Sequence, residues 1–226
     1  MASNDPHPYL KTARRTLELE VEGIEALIAS LGDPFINAVE TMGTATGRVI
    51  VSGIGKSGHI GKKIAATLAS TGTPANFVHA SEASHGDLGM ITKDDVVLAL
   101  SWSGETAELR DLISYTKRFA IPLISMTSGS ESALAEAADI ALLLPKVAEA
   151  CPNGLQAPTT STTMQLALGD ALATALLERN GFDTNNYKDF HPGGKLGAML
   201  AHVSDIMHSG DELPVTSPDT PMSDAL

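Results

Sequence analysis

Apolar residues recur at helical spacing through the first part of the chain. Between Pro8 and about Gly32 they are separated by charged residues and lie at Leu17, Val21, Ile24, Leu27, Ile28 and Leu31. This period predicts an amphipathic helix. A shorter helix is predicted from Pro34 to Met42, with Asp33 as its N-cap and Pro34 at its first helical position. We assign residues 1–45 to helices that pack on the domain that follows.

From residue 48 the pattern changes to short apolar runs that are typical of buried strands. The first, RVIVSG at 48–53, precedes a helix-like stretch from Ser57 to Ser70. Further strand candidates are ANFVHA at 75–80, DVVLALS at 95–101, PLISMT at 122–127 and IALLLP at 140–145, with helical patterns at 105–119 and 130–138. A long helix rich in small residues is predicted from about Thr162 to Asn180. Strands that alternate with helices predict an α/β fold, a doubly wound parallel sheet flanked by helices.

Charge and composition narrow the class of protein. The chain has 226 residues, 43% of them hydrophobic, and a formal net charge of -12. This charge repels nucleic acid and anionic membranes, so we expect neither as a partner. No apolar run is long enough for a membrane span or a signal peptide, so a cytoplasmic protein is expected. Cys151 is the only cysteine, which excludes an internal disulfide and a cysteine-based metal cluster.

The segment SGIGKSGH, at 52–59, raises two cofactor hypotheses. Its glycines form G-x-G-x-x-G, the dinucleotide-binding pattern, and its G-K-S also ends the P-loop of nucleotide-binding proteins. A dinucleotide site needs an acidic residue at the end of the second strand, where the sequence has His79. A P-loop needs a glycine where the sequence has Ile50. Neither cofactor is therefore expected.

A small phosphate-bearing ligand fits what both cofactor patterns share. Glycines and the free amides of a helix N-terminus accommodate an anion, and Ser57 adds a hydroxyl. A second segment, SWSGETAE at 101–108, places more hydroxyls at the carboxyl end of a strand, where open α/β sheets bind ligands. A third, APTTSTT at 157–163, also opens a helix. N-capping alone would explain any one of them. Three in one domain predict a phosphate site formed by Ser57, Ser101, Ser103 and Thr106.

Several segments resemble, in this order, the sugar isomerase (SIS) domain of bacterial arabinose-5-phosphate isomerases. They are GIGKSGHIGKKIAATLASTG, HGDLGM, SWSGETAE, VAEACPNGLQAPTTSTT and HPGGKLG. The resemblance covers roughly residues 10–205 and implies a flavodoxin-like SIS sandwich at 46–204. Trp102 departs from the family, which commonly has a small polar residue there. Residues 205–226 are polar and proline-rich, and they look like a linker and the start of the paired CBS domains that usually follow in this family but are absent here.

This resemblance implies an enzyme that interconverts D-arabinose 5-phosphate and D-ribulose 5-phosphate. In the family this aldose-ketose isomerisation supplies the synthesis of Kdo, the eight-carbon sugar acid of lipopolysaccharide. The reaction removes a proton beside a carbonyl, stabilises an enediolate and returns the proton to the neighbouring carbon. It calls for a carboxylate or histidine base, proton donors and nearby positive charge, but for no redox cofactor.

The resemblance also assigns roles to carboxylates. It implies that Glu149 is the base that moves the proton between the two carbons, and that Glu108 is functional. Glu105 lies three residues before Glu108 and is expected to interact with the dipole of its own helix. Lys56, between two glycines, is suited to neutralise the phosphate or the enediolate oxygen.

Two histidines, His85 in SHGDLG and His191 in FHPGG, match the active-site histidines of the family. Imidazole titrates near neutral pH and suits ring opening and proton transfer. Histidines and glutamates also bind metals, but no tight spacing of ligands exists, so we expect no required metal and only adventitious or inhibitory zinc.

Two alternatives remain open. A sugar-phosphate sensor would need the hydroxyls of the phosphate site but not the glutamates and histidines together. An isomerase of another phosphosugar would share all of them, because the phosphate loops say nothing about stereochemistry at carbon 2. The resemblance further implies a homotetramer, for which the amphipathic first helix offers an assembly surface.

Overall fold

Two helices lead the chain in the computed structural model, which describes residues 7–183, 190, 207–213 and 215–225. They are α1 (Pro8–Ser30) and α2 (Asp33–Thr44), and both lie where the apolar spacing predicts them. The N-cap of α2 is Gly32, however, and not Asp33 as predicted. Gly32 has the extended backbone of a cap, and the helix already begins at Asp33.

Five parallel strands form one sheet with the order β2-β1-β3-β4-β5. Their bounds are β1 (Val49–Gly53), β2 (Ala75–His79), β3 (Val96–Leu100), β4 (Leu123–Thr127) and β5 (Ile140–Leu143). The three central strands are buried along their whole length, as strands covered on both faces are. Every strand lies within a segment for which the sequence predicts one, and the predicted doubly wound α/β sheet is confirmed.

Helices cover both faces of this sheet. Besides α1 and α2 they are α3 (Gly55–Ser70), α4 (Ala80–Ala83), α5 (Arg110–Phe119), α6 (Ala133–Ala137) and α7 (Thr160–Arg179). One face of the strands, with Val51 and Leu98, shares a core with Leu172 of α7. The opposite face, with Val97, packs with Leu112 of α5. Alternate residues of each strand therefore belong to two separate cores, one on each face of the sheet. This explains why the strands are apolar along their whole length.

The small residues of α7 bring it close to its neighbours. A Cβ atom at Gly169 would lie 2.4 Å from the side chain of Ile64 in α3. Lys63 of α3 and Asp170 of α7 form an ion pair beside this contact. The long helix after the third hydroxyl-rich segment is thus held against α3, whose first turn follows β1.

The helix predicted at 105–119 begins later than expected. A short 3-10 turn, Ala107–Leu109, precedes α5. Gly104 has a φ of 74°, and Thr106 has an extended backbone, so neither continues a helix. Residues 101–106 therefore form a loop at the carboxyl end of β3.

The chain divides into two units, Met1–Phe182 and Asp183–Leu226. In the second unit the described residues include a 3-10 turn, Gly210–Glu212, and a short helix α8 (Met222–Ala225). Within the described residues, no helix has both the length and the apolar character that crossing a membrane requires.

Candidate active site

The carboxyl ends of β1 and β3 lie side by side, with Gly53 opposite Leu100. The chain goes on from β1 to β2 on one side and from β3 to β4 on the other, so the strand order reverses between them. Open parallel sheets bind ligands outside the strand ends at such a switch point. The loops that follow β1 and β3 meet at this position.

The glycine-rich segment after β1 shapes a close turn into α3. A Cβ atom at Gly58 would lie 3.0 Å from the carbonyl oxygen of Gly53, so the helix packs directly on the strand end. Gly55 has a φ of 58°, which favours glycine. The amides of residues 55–57 precede the first hydrogen bond of the helix, from Gly58 N to Ile54 O at 3.1 Å. They are available to an anion, as expected from the sequence.

The loop after β3 is held together by its own hydroxyls. The Oγ of Ser101 lies 2.7 Å from the Oγ1 of Thr106 and accepts the amide of Gly104 at 3.0 Å. The Oγ of Ser103 accepts the amide of Glu105 at 3.2 Å. Because each hydroxyl carries a donor and two acceptor positions, these bonds leave Ser103 and one of the Ser101–Thr106 pair with a proton to donate. The loop is preorganised and still able to bind an anion.

A cavity of about 300 Å³ lies between these loops. It contains Lys56 and all four residues of the predicted phosphate site, and its lining is Ile54, Lys56, Ser57, Leu100, Ser101, Trp102, Ser103, Thr106 and Pro158. Ile54 and Pro158 were not predicted as site residues, because an apolar residue in a loop carries no signal for binding. The cavity combines one lysine with neutral hydroxyl donors, a chemistry that suits a phosphate group.

A larger cavity, of about 480 Å³, lies at the opposite edge of the sheet, beside the beginning of β4 and β5. It contains Lys117 and Asp139 but none of the predicted site residues. We place the candidate active site in the smaller cavity, because parallel sheets bind ligands at the carboxyl ends of their strands.

Glu149 lies at the N-terminus of α7. Its Oε2 accepts hydrogen bonds from the amide of Thr159 at 2.7 Å, the hydroxyl of Thr159 at 3.0 Å and the amide of Ser161 at 3.3 Å. Burial raises the pKa of Glu149, but the hydrogen bonds from Ser161 and Thr159 together outweigh it and hold the pKa below its ordinary value. The carboxylate is therefore ionised at neutral pH.

The third hydroxyl-rich segment therefore serves the protein itself. The Oγ1 of Thr159 also accepts the amide of Ala150 at 2.8 Å, and Pro158 is the residue of this segment that lines the cavity. Two of its residues, Thr159 and Ser161, thus hold a carboxylate, and the predicted phosphate site consists of residues of the other two segments.

The two other glutamates, Glu105 and Glu108, have different surroundings. The Oε1 of Glu105 accepts the amide of Ala133 at 2.8 Å, so Glu105 caps α6 and not the helix that it precedes. The expected interaction of Glu105 with the dipole of its own helix is not observed, because a 3-10 turn that contains Glu108 separates Glu105 from α5. Glu108 is exposed, and it does not line the cavity.

Of the two predicted active-site histidines, His85 is among the described residues. His85 is exposed and follows α4 on the segment after β2, at the same edge of the sheet as the cavity. Helix α4 packs against the 3-10 turn that carries Glu108. His191 lies outside the described residues. Among the described residues, no group of three or more histidine, cysteine, aspartate or glutamate side chains could hold a metal ion.

The doubly wound sheet and the cavity at its switch point define an α/β domain with a candidate phosphate-binding site. The SIS domain family matches residues 44–175, more than half of the chain, so the chain belongs to the SIS domain family. This confirms the predicted fold family.

Curated relatives narrow the comparison. The chain is 55% identical over 219 residues to arabinose 5-phosphate isomerase KdsD of Pseudomonas aeruginosa. The aligned residues make up 96% of this chain and 67% of the relative. It is 52% identical over 219 residues to the KdsD of Yersinia pestis, covering 96% of this chain and 66% of that one. The chain thus spans about two thirds of the length of these relatives. The predicted resemblance to arabinose-5-phosphate isomerases is confirmed.

Solved structures agree with this assignment. The structure of the E. coli CFT073 protein c3406 in complex with arabinose 5-phosphate superposes with a TM-score of 0.78 at 41% identity, over 85% of this chain and 100% of that one. The Vibrio vulnificus NanR protein complexed with ManNAc-6P has a TM-score of 0.68 at 20% identity, over 92% of this chain and 72% of that one. The second comparison shows a shared fold.

Proposed function

We propose that this protein interconverts D-arabinose 5-phosphate and D-ribulose 5-phosphate. The observation that carries the proposal is the 55% identity to an arabinose 5-phosphate isomerase over 96% of the chain. The cavity at the switch point supports it, because it holds a lysine and four hydroxyl side chains where a phosphosugar binds in such a fold.

The reaction needs no external oxidant or reductant. In the open-chain aldose a base removes the proton from carbon 2, and the carbonyl oxygen at carbon 1 is protonated, which gives an enediol. The hydroxyl at carbon 2 then loses its proton and becomes the carbonyl, while a proton is delivered to carbon 1. All atoms and electrons of the substrate are kept, so the proposed reaction requires no redox cofactor.

Glu149 is the proposed base. Its hydrogen bonds from Thr159 and from the amide of Ser161 all go to Oε2, which leaves Oε1 as the oxygen with most capacity for a proton. The depressed pKa of the carboxyl keeps it ionised and able to accept a proton at neutral pH. A carboxylate held by a helix N-terminus has a fixed direction, which lowers the cost of orienting it in the transition state.

Other groups have supporting roles in the proposal. Lys56 neutralises the phosphate or the enediolate oxygen from the first turn of α3. His85, His191 and Glu108 assist ring opening and proton transfer between the sugar oxygens. Ser57, Ser101, Ser103 and Thr106 hold the phosphate.

The proposed cellular role is the supply of D-arabinose 5-phosphate to the Kdo branch of lipopolysaccharide synthesis, in the cytoplasm. The name KdsD of the relatives supports this role.

The proposed assembly is a homotetramer that uses α1. Leu17, Val21 and Ile28 of this helix are 61%, 55% and 64% exposed and lie on one face of it. Exposed apolar residues in such a row are typical of an interaction surface. A Val21→Glu variant is expected to have a lower mass than the wild type by light scattering, whereas Glu22→Lys, at a neighbouring exposed position, keeps the wild-type mass.

The experiment that tests the function is turnover of D-arabinose 5-phosphate in buffer treated with a chelator, beside a panel of other aldose phosphates. We expect D-ribulose 5-phosphate as the product, with the arabinose ester having the highest kcat/KM of the panel and the same rate before and after chelation. Binding of a phosphosugar without turnover would contradict the proposal and favour a sensor. A higher kcat/KM for a different ester would identify an isomerase of another phosphosugar.

A further inference from the structure

Trp102 lies in the middle of the loop after β3, between Ser101 and Ser103, and all three residues line the cavity. Its carbonyl oxygen accepts hydrogen bonds from the hydroxyl of Thr127 at 3.1 Å and from the amide and hydroxyl of Ser128, both at 2.9 Å. Three bonds to the end of β4 fix the backbone from which the indole ring projects. The backbone of Trp102 is therefore held between the two serines, and the position of the ring depends on its own packing.

The indole ring has one part in the core and one part outside it. It packs against the apolar cluster that includes Leu100 and Met126, and its exposure is intermediate. Among the residues that the structure describes, no acceptor bonds with the indole N–H. A buried tryptophan usually pairs this N–H within the protein, whereas the half-buried ring of Trp102 can offer it to water or to a ligand.

The other walls of the cavity are of two kinds. Lys56 and the hydroxyls provide the polar side, and Ile54, Leu100 and Pro158 provide a short apolar side. The cavity volume of about 300 Å³ is at the lower end of the range of about 300–1,000 Å³ that is typical of small-molecule sites. This volume is what remains with the indole ring in place, so the ring is one of the walls that limit the space a ligand can use.

We propose that Trp102 is a substrate-contacting residue that limits the length of the phosphosugar the cavity accepts. With the phosphate at the hydroxyls, the sugar carbons lie against the indole face, and the N–H is available to a sugar hydroxyl. A chain one carbon longer would collide with a ring whose backbone cannot move away. The choice of sugars for the test rests on the proposed isomerase function, whereas the contact itself does not require turnover.

The contact can be tested without any variant, because Trp102 is the only tryptophan in the chain. Titration with D-arabinose 5-phosphate is expected to change the tryptophan emission in a saturable way. Inorganic phosphate is expected to change it less at equal occupancy, measured by calorimetry. Unchanged emission while the sugar phosphate binds would overturn the proposal, and so would an equal change with inorganic phosphate, since the contact would then not involve the sugar.

The length limit is tested with Trp102→Ala and Trp102→Phe. The second substrate is D-mannose 6-phosphate, which has one carbon more and the same configuration at carbon 2. For Trp102→Ala we expect the KM for D-arabinose 5-phosphate to rise about 10-fold, with a smaller change in kcat. The preference for the five-carbon ester, as a ratio of kcat/KM values, is expected to fall about 10-fold to 100-fold, the range for one carbon in a fitted pocket.

Trp102→Phe keeps an aromatic wall and is expected to retain most of that preference, even if Trp102→Ala fails to fold. The control is Phe119→Ala, which removes an exposed aromatic ring at the end of α5, near the opposite edge of the sheet, and is expected to leave both substrates unaffected. Loss of preference in Trp102→Phe equal to that in Trp102→Ala would overturn the idea of an apolar wall.

The outcomes separate this proposal from the proposed function. A saturable emission change without turnover would retain the Trp102 contact and reject the isomerase. Turnover with unchanged emission, or with a Trp102→Ala variant that discriminates like the wild type, would reject the role of Trp102 and retain the isomerase.

Discussion

Two hydroxyl-rich segments of this protein look alike in sequence and differ in what their side chains contact. The loop at 101–106 follows β3, and the segment at 157–163 opens α7; both offer serine and threonine side chains beside helical amides. The first keeps its hydroxyls on the wall of a cavity. The second uses the donors of Thr159 and Ser161 to hold the carboxylate of Glu149.

A helix N-terminus rich in hydroxyls thus predicts an anion but not its source. In one segment the expected anion is the phosphate of a ligand, and in the other it is a side chain of the same protein. A carboxylate ten residues before Thr159 was the available signal. The sequence alone does not show that Glu149 contacts Thr159, because residues 150–158 follow no helical or strand period that would fix the path of the chain between them.

The prediction with the largest expected effect concerns the role of Glu149 in catalysis. Glu149→Gln keeps the shape and a hydrogen-bond acceptor at the α7 N-terminus but removes the proposed base. We expect kcat to fall by about 10²–10⁴-fold, the contribution of a general base. Steady-state kinetics measures this, with circular dichroism as the check that the variant is folded. A variant that keeps wild-type kcat would show that Glu149 only caps the helix.

A smaller effect is expected from the cavity loop, and on binding more than on kcat. Ser103→Ala and Thr106→Val each remove a hydroxyl that the phosphate would use. Hydrogen bonds to charged groups contribute about 1.5–3 kcal/mol, so KM should rise about 10-fold to 100-fold. Thr174→Val is the matched control, because that hydroxyl bonds carbonyl oxygens of its own helix. An unchanged KM in both loop variants would place the phosphate elsewhere.

The backbone conformation of the loop at residues 101–106 can be tested by measuring the stability of a glycine variant. A Cβ atom at Gly104 would lie 1.9 Å from the Oγ of Ser132, and the φ of Gly104 is 74°. We expect Gly104→Ala to lower the free energy of unfolding by at least the strain of about 1–3 kcal/mol for such a backbone. At Gly55, with a φ of 58° and open space around it, the loss is expected to be about 1–2 kcal/mol. Urea unfolding compares the two; equal losses would mean that the Ser132 contact relaxes.

The smallest effect is the pH dependence of stability that Glu149 contributes. Its pKa is lower in the folded protein than in the unfolded chain, so its contribution is present above the ordinary carboxyl pKa, about 4.3 for glutamate, and is lost as the pH falls through the lower folded value. The melting temperature of the wild type should exceed that of Glu149→Gln at pH 7, and the gap should close below pH ~4. A gap that widens in acid would mean that the folded pKa is raised.

Much of the fold was accessible from the sequence. The strands were predicted to within one or two residues, because each is a short apolar run that two layers of helices bury. The start of α5 was placed too early, since a helical period at 105–119 does not reveal the positive φ of Gly104. The N-cap of α2 was placed one residue late for a similar reason, as Asp33 is a good cap by type but already lies within the helix.

The candidate site was accessible in part. The four hydroxyl residues predicted to form one phosphate site do line one cavity, and Lys56 lines it with them. The roles of Glu149, Glu108, His85 and His191 stay predictions, and His191 lies outside the described residues. The dinucleotide pattern was rejected from the sequence because of His79, and β2 indeed ends at this residue.

Periodicity and short motifs are local, so the amino-acid order was enough to predict the alternation of buried strands and helices, the SIS family and the kind of chemistry available. Three features became visible only in three dimensions: the carboxylate that Thr159 and Ser161 hold, the capping of α6 by Glu105 across the fold, and the position of Trp102 as a wall of the cavity. Each of these features depends on contacts between side chains that are far apart in the chain. Which of them meet is decided by the order of the strands, and strand order is a property of the whole sheet.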